Sequence, residues 1–544
     1  MDTLRADSCT PYGAPDYFTP ALQELSEAGT TFLQARAQSS WTLPSFASML
    51  SGQLPSDVSA TIYSGYVSDR AEMISEILRE HGFATHMICS NPWLGNDQSG
   101  FHQGFDSLWY STYASATASV ENAKQFIDEN SNRDWFCFLH IIDPHVPYFP
   151  PYEFAERFTD PDYKGEYGFV FDSVDKWKIG DYVPPDDDLR HVKGLYEAEV
   201  AYVDFEMGNL FDFLHEMALD ENTLIIFASD HGEEFFEHGG FEHGHTQYDE
   251  LVWMPLIVKG SGFTPGERVD IPVGNTDIFP TILEYAGIPL SEKLTGVPLQ
   301  RVLDGAIPSD RLIYGEGNTR GNLRKFVVQW PYKCILDFVT GKSWLYNLET
   351  DPGETLDIRA DNEQLTAALC AEIFTAMRSS ETAFHVWITR SYREPQARFT
   401  GTVRVPGGIE RVVAFQLTED DSYTFHDDTL NFNVTSSLEI LGPNKHFVVV
   451  PAEGADSLEV TVLVDGKISP DRFFPYGSMT PEPSGKATVK ITDFPMGTSL
   501  PYAIEEYPAS CYIWGVIGSD RYETPAEFDE KTLEQLRSLG YIAN

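Results

Sequence analysis

From about residue 74 to residue 290, amphipathic stretches and short apolar runs take turns along the chain. "AEMISEILREHG" and "ASVENAKQFIDEN" space their apolar residues as helices do, and "FATHMICS" and "DWFCFLHIID" follow them as buried strands. "LRHVKGLYEAEVAYVDFEMGNLFDFLHEMA" predicts a long amphipathic helix ahead of the strand in "TLIIFASDHG", and "MPLIVKG" and "TDIFPTILEYAGI" continue the series. Strands separated by helices cannot pair as hairpins, so the pattern predicts an α/β fold with a mostly parallel central sheet covered on both faces. Polar residues just beyond the strands, as in "IIDPHVPY" and "ASDHGEE", fall where such sheets build their sites.

Past residue 385 the texture changes to apolar–polar alternation between Gly, Pro and Asp turns, in "FTGTVRVPGG", "KHFVVVPAEGADSLEVTVLVDGK" and "KATVKITDF". The expected organisation is a catalytic domain over 1–385, an antiparallel β-sandwich-like module over 386–520, and a C-terminal helix within 521–544, "KTLEQLRSLGYI", packing back on the catalytic domain.

The charge is extreme, with 83 acidic against 37 basic residues and a net charge of −46. The acids are scattered through a chain that is 42% hydrophobic and 13% aromatic, which argues for a folded protein over a disordered one. Such a surface repels nucleic acid and anionic membranes, so neither is an expected partner. It is suited to high salt, which screens self-repulsion, and a halophilic source is expected. The chain should therefore melt at higher temperature as salt rises from zero to molar concentration. Equal melting temperature and activity in salt-free buffer would contradict this. No run approaches the roughly 20 apolar residues of a membrane span. No signal peptide is visible, which favours a cytoplasmic location. The six cysteines are widely spaced, with no CxxC pair, and read as buried free thiols.

Four segments carry groups able to do chemistry: "MDTLRADSCTPYG", "WTLPSFASMLSG", "DPHVPY" and "SDHGEEFFEHGGFEHGHTQYDE". The second predicts a helix that begins around Pro44 and stops at Gly52, with Thr42 just outside its start. A threonine there is ordinarily a helix cap. The fourth holds His231, His238, His243 and His245 although the whole chain has only 14 histidines. All four segments fall at predicted C-terminal strand ends, where one fold can bring them together.

The ordered motifs resemble the sulfatase family of the alkaline phosphatase superfamily. Its signature, Cys-x-Pro-Ser-Arg before a helix of small and apolar residues, aligns with Thr42-Leu43-Pro44-Ser45-Phe46 and "ASMLSG". "DTLRAD", "TPALQELSEAGTTF", "SNPWLG", "GFHQGFD", "DPHVPY", "SDHGE", "HGHTQYDELVWMPLIV", "NTDIFPTILEYAGIP", "YKCIL", "WLYNLETDPGE" and "LRSLGYI" follow the family in order. The resemblance implies an alkaline-phosphatase-like fold and an ester hydrolase. It implies Asp2, Thr42, Asp230 and His231 as metal ligands, with Thr42 in the nucleophile position. His145 and His243 are implied as catalytic groups that also contact the substrate's anionic oxygens. Asn91 stands where many sulfatases place a substrate-binding Lys, and Trp93 where they often place a His. The metal is an unspecified divalent ion (Ca²⁺, Mg²⁺, Mn²⁺ or Zn²⁺). The partner is a small-molecule or glycan anionic ester.

The departures steer the chemistry. Family members of the best-known type oxidise a Cys or Ser to formylglycine, whereas oxidation of Thr42 would give a ketone, so no formylglycine is expected. Phe46 replaces the signature Arg, Thr3 replaces the second Asp, and the apolar strand that precedes "DTLRAD" in the family is expected to be missing. The set Asp, Thr, Asp, His resembles the phosphodiesterase, phosphonate hydrolase and phosphoglycerol transferase branches, and Asn91 leaves the pocket less positive. Phosphate ester or phosphodiester hydrolysis, phosphonate included, is the expected reaction. The alternatives are a sulfatase working without formylglycine, an inactive member kept as a binding protein, and a His-rich loop serving only as a structural metal site. Natural substrate and oligomeric state stay open.

Overall fold

The computed structural model describes the chain except residues 59, 61–65, 70, 97–98, 172–176, 178–181, 292–293, 320–323, 338–341, 377–381, 389–395, 416, 419, 437–444, 476–481, 493–508 and 517–544. The terminal helix expected within 521–544 lies outside the described residues. Two compact units emerge, one of Met1–Thr319 with Val328–Trp330, the other falling within 320–327 and 331–524.

The first unit realises the alternation. Its elements are β1 (Thr30–Phe32), α1 (Thr42–Ser51), β2 (Ala84–Cys89), β3 (Ser107–Tyr110), α2 (Ala116–Asn130), β4 (Trp135–Leu139), α3 (Asp186–Glu216), β5 (Ile225–Ala228), β6 (Leu256–Lys259), β7 (Glu267–Val269) and α4 (Ile278–Tyr285). One sheet runs β3–β2–β4, all parallel. The other runs β7–β1–β6–β5, with β7 parallel to β1 and β6 antiparallel to both its neighbours. Two apolar cores cover the faces. Leu256 and Val258 join Leu43, Phe46 and Ile278 in one, while Ile257 between them joins Val120, Phe126 and Leu195 in the other. Successive side chains of a strand point to opposite faces, which is why β6 feeds both cores.

One expectation is corrected. "DWFCFLHIID" reads as buried, yet every residue of β4 is half-buried, as are three of the four in β5. Among the described residues, each strand is the last of its sheet and is paired along one side only. Their ends are instead linked by the Met1–Asp2 backbone. The Met1 amino group donates to the Ala228 carbonyl (3.0 Å), Asp2 N–H to the Ile141 carbonyl (3.0 Å), and Asp230 N–H to the Met1 carbonyl (3.3 Å).

The second unit includes the hairpin β8 (Tyr332–Asp337) and β9 (Ser343–Asn347), followed by α5 (Glu363–Ala376). Ten strands follow: β10 (Ala383–Ile388), β11 (Arg398–Arg404), β12 (Ile409–Phe415), β13 (Ser422–His426), β14 (Thr429–Thr435), β15 (Lys445–Pro451), β16 (Ser457–Val464), β17 (Phe473–Pro475), β18 (Lys486–Lys490) and β19 (Cys511–Val516). They form sheets ordered β12–β15–β10–β19–β17 and β13–β14–β11–β16–β18, antiparallel but for the β17–β19 pair. Phe384, Val386 and Phe447 from one sheet and Phe399, Val460 and Val462 from the other share a core, so the pair is a sandwich.

Candidate active site

The site gathers at the carboxyl ends of β2, β4 and β5, where parallel strands present their following loops to one crevice. Asp230 and His231 follow β5, His140 and His145 follow β4, and Asn91 follows β2. α1 starts at Thr42 with Trp41 at its N-cap position, two residues ahead of the expected Pro44, and ends at Gly52 with φ +68°, a conformation that costs glycine little. Its first turn is fastened to the strand end. Ser45 Oγ donates to the Asp230 carbonyl (2.5 Å), and Asn275 Nδ2 donates to Ser45 Oγ (2.7 Å).

Asp2, Asp230 and His231, all fully buried, bring one ligand atom each within 4.8 Å of one another. Asp2 Oδ2 accepts from Asn91 Nδ2 (2.7 Å) and from His140 Nε2 (3.2 Å). The Ser90 amide donates to His140 Nδ1, so His140 carries its proton on Nε2. Asp230 Oδ1 accepts from the Thr3 and His231 amides at 3.2 and 2.9 Å. Each carboxylate thus has one oxygen held by donors. The other oxygens, Asp2 Oδ1 and Asp230 Oδ2, are buried without a donor. They lie 3.6 and 3.3 Å from His231 Nε2. His231 donates Nδ1–H to the Gly232 carbonyl (3.0 Å), and burial pushes its pKa down to about 4, so at neutral pH Nε2 bears a lone pair. Burial, with the Asp2 charge beside it, also pushes Asp230 well above the carboxylate range. For Asp2, burial acts upward, but the His140 bond and neighbouring imidazoles outweigh it and hold the group below its ordinary value. Three ligand atoms converge, and burial together with the Asp2 charge acts against a second negative charge on Asp230 there. A divalent cation fits this donor set and relieves the repulsion, and oxygen with imidazole nitrogen suits Ca²⁺, Mg²⁺, Mn²⁺ or Zn²⁺.

Thr42 Oγ1 lies 3.4 Å from His231 Nε2 and 3.5 Å from Asn91 Nδ2. The imidazoles of His231 and His243 are 4.5 Å apart between ring centres, and those of His145 and His243 4.9 Å apart. His145 donates Nδ1–H to the Val146 carbonyl and His243 to Glu233 Oε1 (2.9 Å), contacts that orient both rings. All seven expected residues therefore meet in one place. His238 and His245 do not join them; they pair with Glu250 and Glu234 at 2.6 and 2.7 Å.

Sequence reasoning missed three members. His140 is hidden at the end of a strand-like run, and Glu233 and Tyr148 have no diagnostic spacing. Glu233 is fully buried and accepts from His243 and, at its other oxygen, from the Tyr148 hydroxyl (3.0 Å). Phe46, in place of the family Arg, sets its ring edge-on to His140 at 5.2 Å. Gly232 is required by close approach, since a Cβ there would stand 2.1 Å from the Glu250 carbonyl oxygen. Gly232→Ala should cost roughly 1–3 kcal/mol of stability or more by overpacking, read from the denaturant midpoint.

Comparison with known proteins agrees with this architecture. The family model described as Sulfatase matches residues 1–288. Choline-sulfatase of Rhizobium meliloti is 24% identical over 414 residues, covering 65% of this chain and 78% of that protein. Mouse arylsulfatase K is 27% identical over 196 residues, 34% of this chain, and the chain spans only about a third (35%) of that relative. Among solved structures, the phosphonate monoester hydrolase of Agrobacterium radiobacter superposes with a TM-score of 0.57 at 18% identity, covering 69% of this chain and 94% of that one. A family match over more than half of the 544 residues, on a fold shared with these enzymes, places the chain in the sulfatase family as an ester hydrolase of the alkaline phosphatase superfamily.

Proposed function

We propose that this chain hydrolyses phosphate esters or phosphodiesters, phosphonate esters included, of a small molecule or glycan, with the Thr42 hydroxyl as nucleophile. The observation that carries this is the position of Thr42 Oγ1 at the start of α1, 3.4 Å from His231 Nε2, which itself lies 3.6 and 3.3 Å from two carboxylate oxygens that lack donors. Asp2, Asp230 and His231, with Thr42, would hold a divalent cation. When bound, such an ion supplies positive charge that lowers the pKa of a neighbouring hydroxyl and offsets charge on an anionic ester.

The chain's own groups do the rest. The α1 amino end contributes N–H donors and partial positive charge towards the ester oxygens. Thr42 Oγ1 gives its proton to an imidazole, His145 or His243, and attacks phosphorus as the bond to the leaving oxygen breaks, and that oxygen takes the proton from the imidazole. Water then cleaves the Thr42 ester, giving its proton to the imidazole, which passes it to the departing Thr42 Oγ1. Asn91 donates to Asp2 and faces Thr42, holding ligand and nucleophile together. The Thr42 side chain cannot become an aldehyde, and Asn91 adds no positive charge; both favour phosphorus chemistry over formylglycine-dependent sulfate cleavage.

A second reaction, sulfuric ester hydrolysis without formylglycine, is favoured by the choline-sulfatase relative. Assay in high salt with Mn²⁺ against aryl phosphate, bis-aryl phosphate and aryl sulfate separates the two. Turnover of a phosphorus ester is expected. Turnover of the sulfate alone would replace phosphorus with sulfur, and none at all would leave a binding protein. Among the described residues no helix is long and apolar enough to cross a membrane.

A further inference from the structure

Away from the site, in the second unit, two thiols touch. Cys334 lies in β8 and Cys370 in α5, which packs on that strand, and their sulfurs are 3.6 Å apart. Both are free and buried, at 0% and 5% exposure. Nothing in the hydrolase chemistry uses them. Of the six cysteines, all of them among the described residues, this is the pair in sulfur contact. Cys334 is fixed in a ladder, facing Leu345 of β9. Cys370 sits on the helix α5.

We propose that Cys334 and Cys370 are a modification site, forming an intramolecular disulfide that staples α5 to β8 when a small disulfide oxidant reaches them. Closure to the bond length of about 2.05 Å shortens a sulfur contact that already exists. Cys370 is the entry point. It is the more accessible of the two, and the hydrogen bond from Cys334, helped by Ser343, holds its thiol below the ordinary value against the effect of burial. Its thiolate attacks one sulfur of the oxidant and releases the other half as a thiol, giving a mixed disulfide. Cys334, having lost its proton, then displaces the second half. Two protein thiols give up two protons and two electrons, and one oxidant disulfide becomes two thiols. The other four cysteines have no sulfur partner for this second step, and burial raises the thiols of Cys9, Cys89, Cys137 and Cys511.

The test is to incubate the whole chain with excess oxidised glutathione in high salt, then denature, alkylate and map peptides with and without reductant. The expected protein is lighter by two hydrogens, with the Cys334 and Cys370 peptides linked and the other four cysteines alkylated. The oxidised form should melt higher, by roughly 5–10 °C, because the link closes a long loop in the unfolded chain. Cys334→Ser should stop at a glutathione adduct on Cys370. Both cysteines alkylated in the oxidised wild type, or glutathione persisting on Cys370 with Cys334 free, would overturn the proposal. The wild-type map decides even if the variant does not fold.

Discussion

Thr42→Ala is expected to leave a folded protein with turnover reduced by roughly 10³-fold or more, the scale seen when an enzyme loses its nucleophile. Thr42→Ser should retain most of the rate, because it keeps the hydroxyl. The two substitutions separate nucleophile from cap. A capping threonine would cost about 1 kcal/mol of stability when replaced by alanine and leave turnover unchanged. The geometry already opposes simple capping. Trp41, not Thr42, occupies the N-cap position, and the Thr42 hydroxyl stands 3.4 Å from a histidine that arrives from β5. A rate for Thr42→Ala within a few-fold of wild type would remove the nucleophile.

The second large effect concerns the carboxylate pair. Removal of divalent ions by a chelator should abolish turnover. Asp230→Asn should lower it at least roughly 10²-fold at moderate Mn²⁺ while preserving shape. A second readout is independent of activity. An ion held by Asp2, Asp230 and His231 binds only the folded chain, so Mn²⁺ at about 100 times its dissociation constant should stabilise wild type by about 2.7 kcal/mol. Asp230→Asn should lose most of that increment. In chelator the sign reverses. Wild type then keeps two buried carboxylates whose inward oxygens lack donors, and Asp230→Asn should be at least as stable. Equal metal-dependent shifts in melting for both proteins would place the ion elsewhere.

Much of this was legible in the sequence, for physical reasons. Periodicity separates helices from strands wherever a segment has one buried face, and α2, α3 and β2 fall where spacing puts them. Strand ends are visible as the point where apolar residues give way to Asp and His, which is why Asp230, His231 and His145 stand out. Edges are not visible. β4 is as apolar as an interior strand, and only the pairing shows that, among the described residues, it stands at the end of its sheet. Partners distant in sequence are likewise silent. His140 and Glu233 gain meaning only because their nitrogen and oxygen atoms meet Asp2 and His243 across 138 and 10 positions of chain. Thr3 shows the same limit, since a β-branched residue held at φ +55° is not foreseeable from "DTLRAD".

The most direct measurement is the stereochemical course at phosphorus, followed with a chiral thiophosphate ester in isotopically labelled water. Attack by Thr42 followed by attack of water inverts the centre twice, so retention is predicted. Net inversion would show water attacking the ester in a single step, and the Thr42 hydroxyl would then have no covalent part in the reaction.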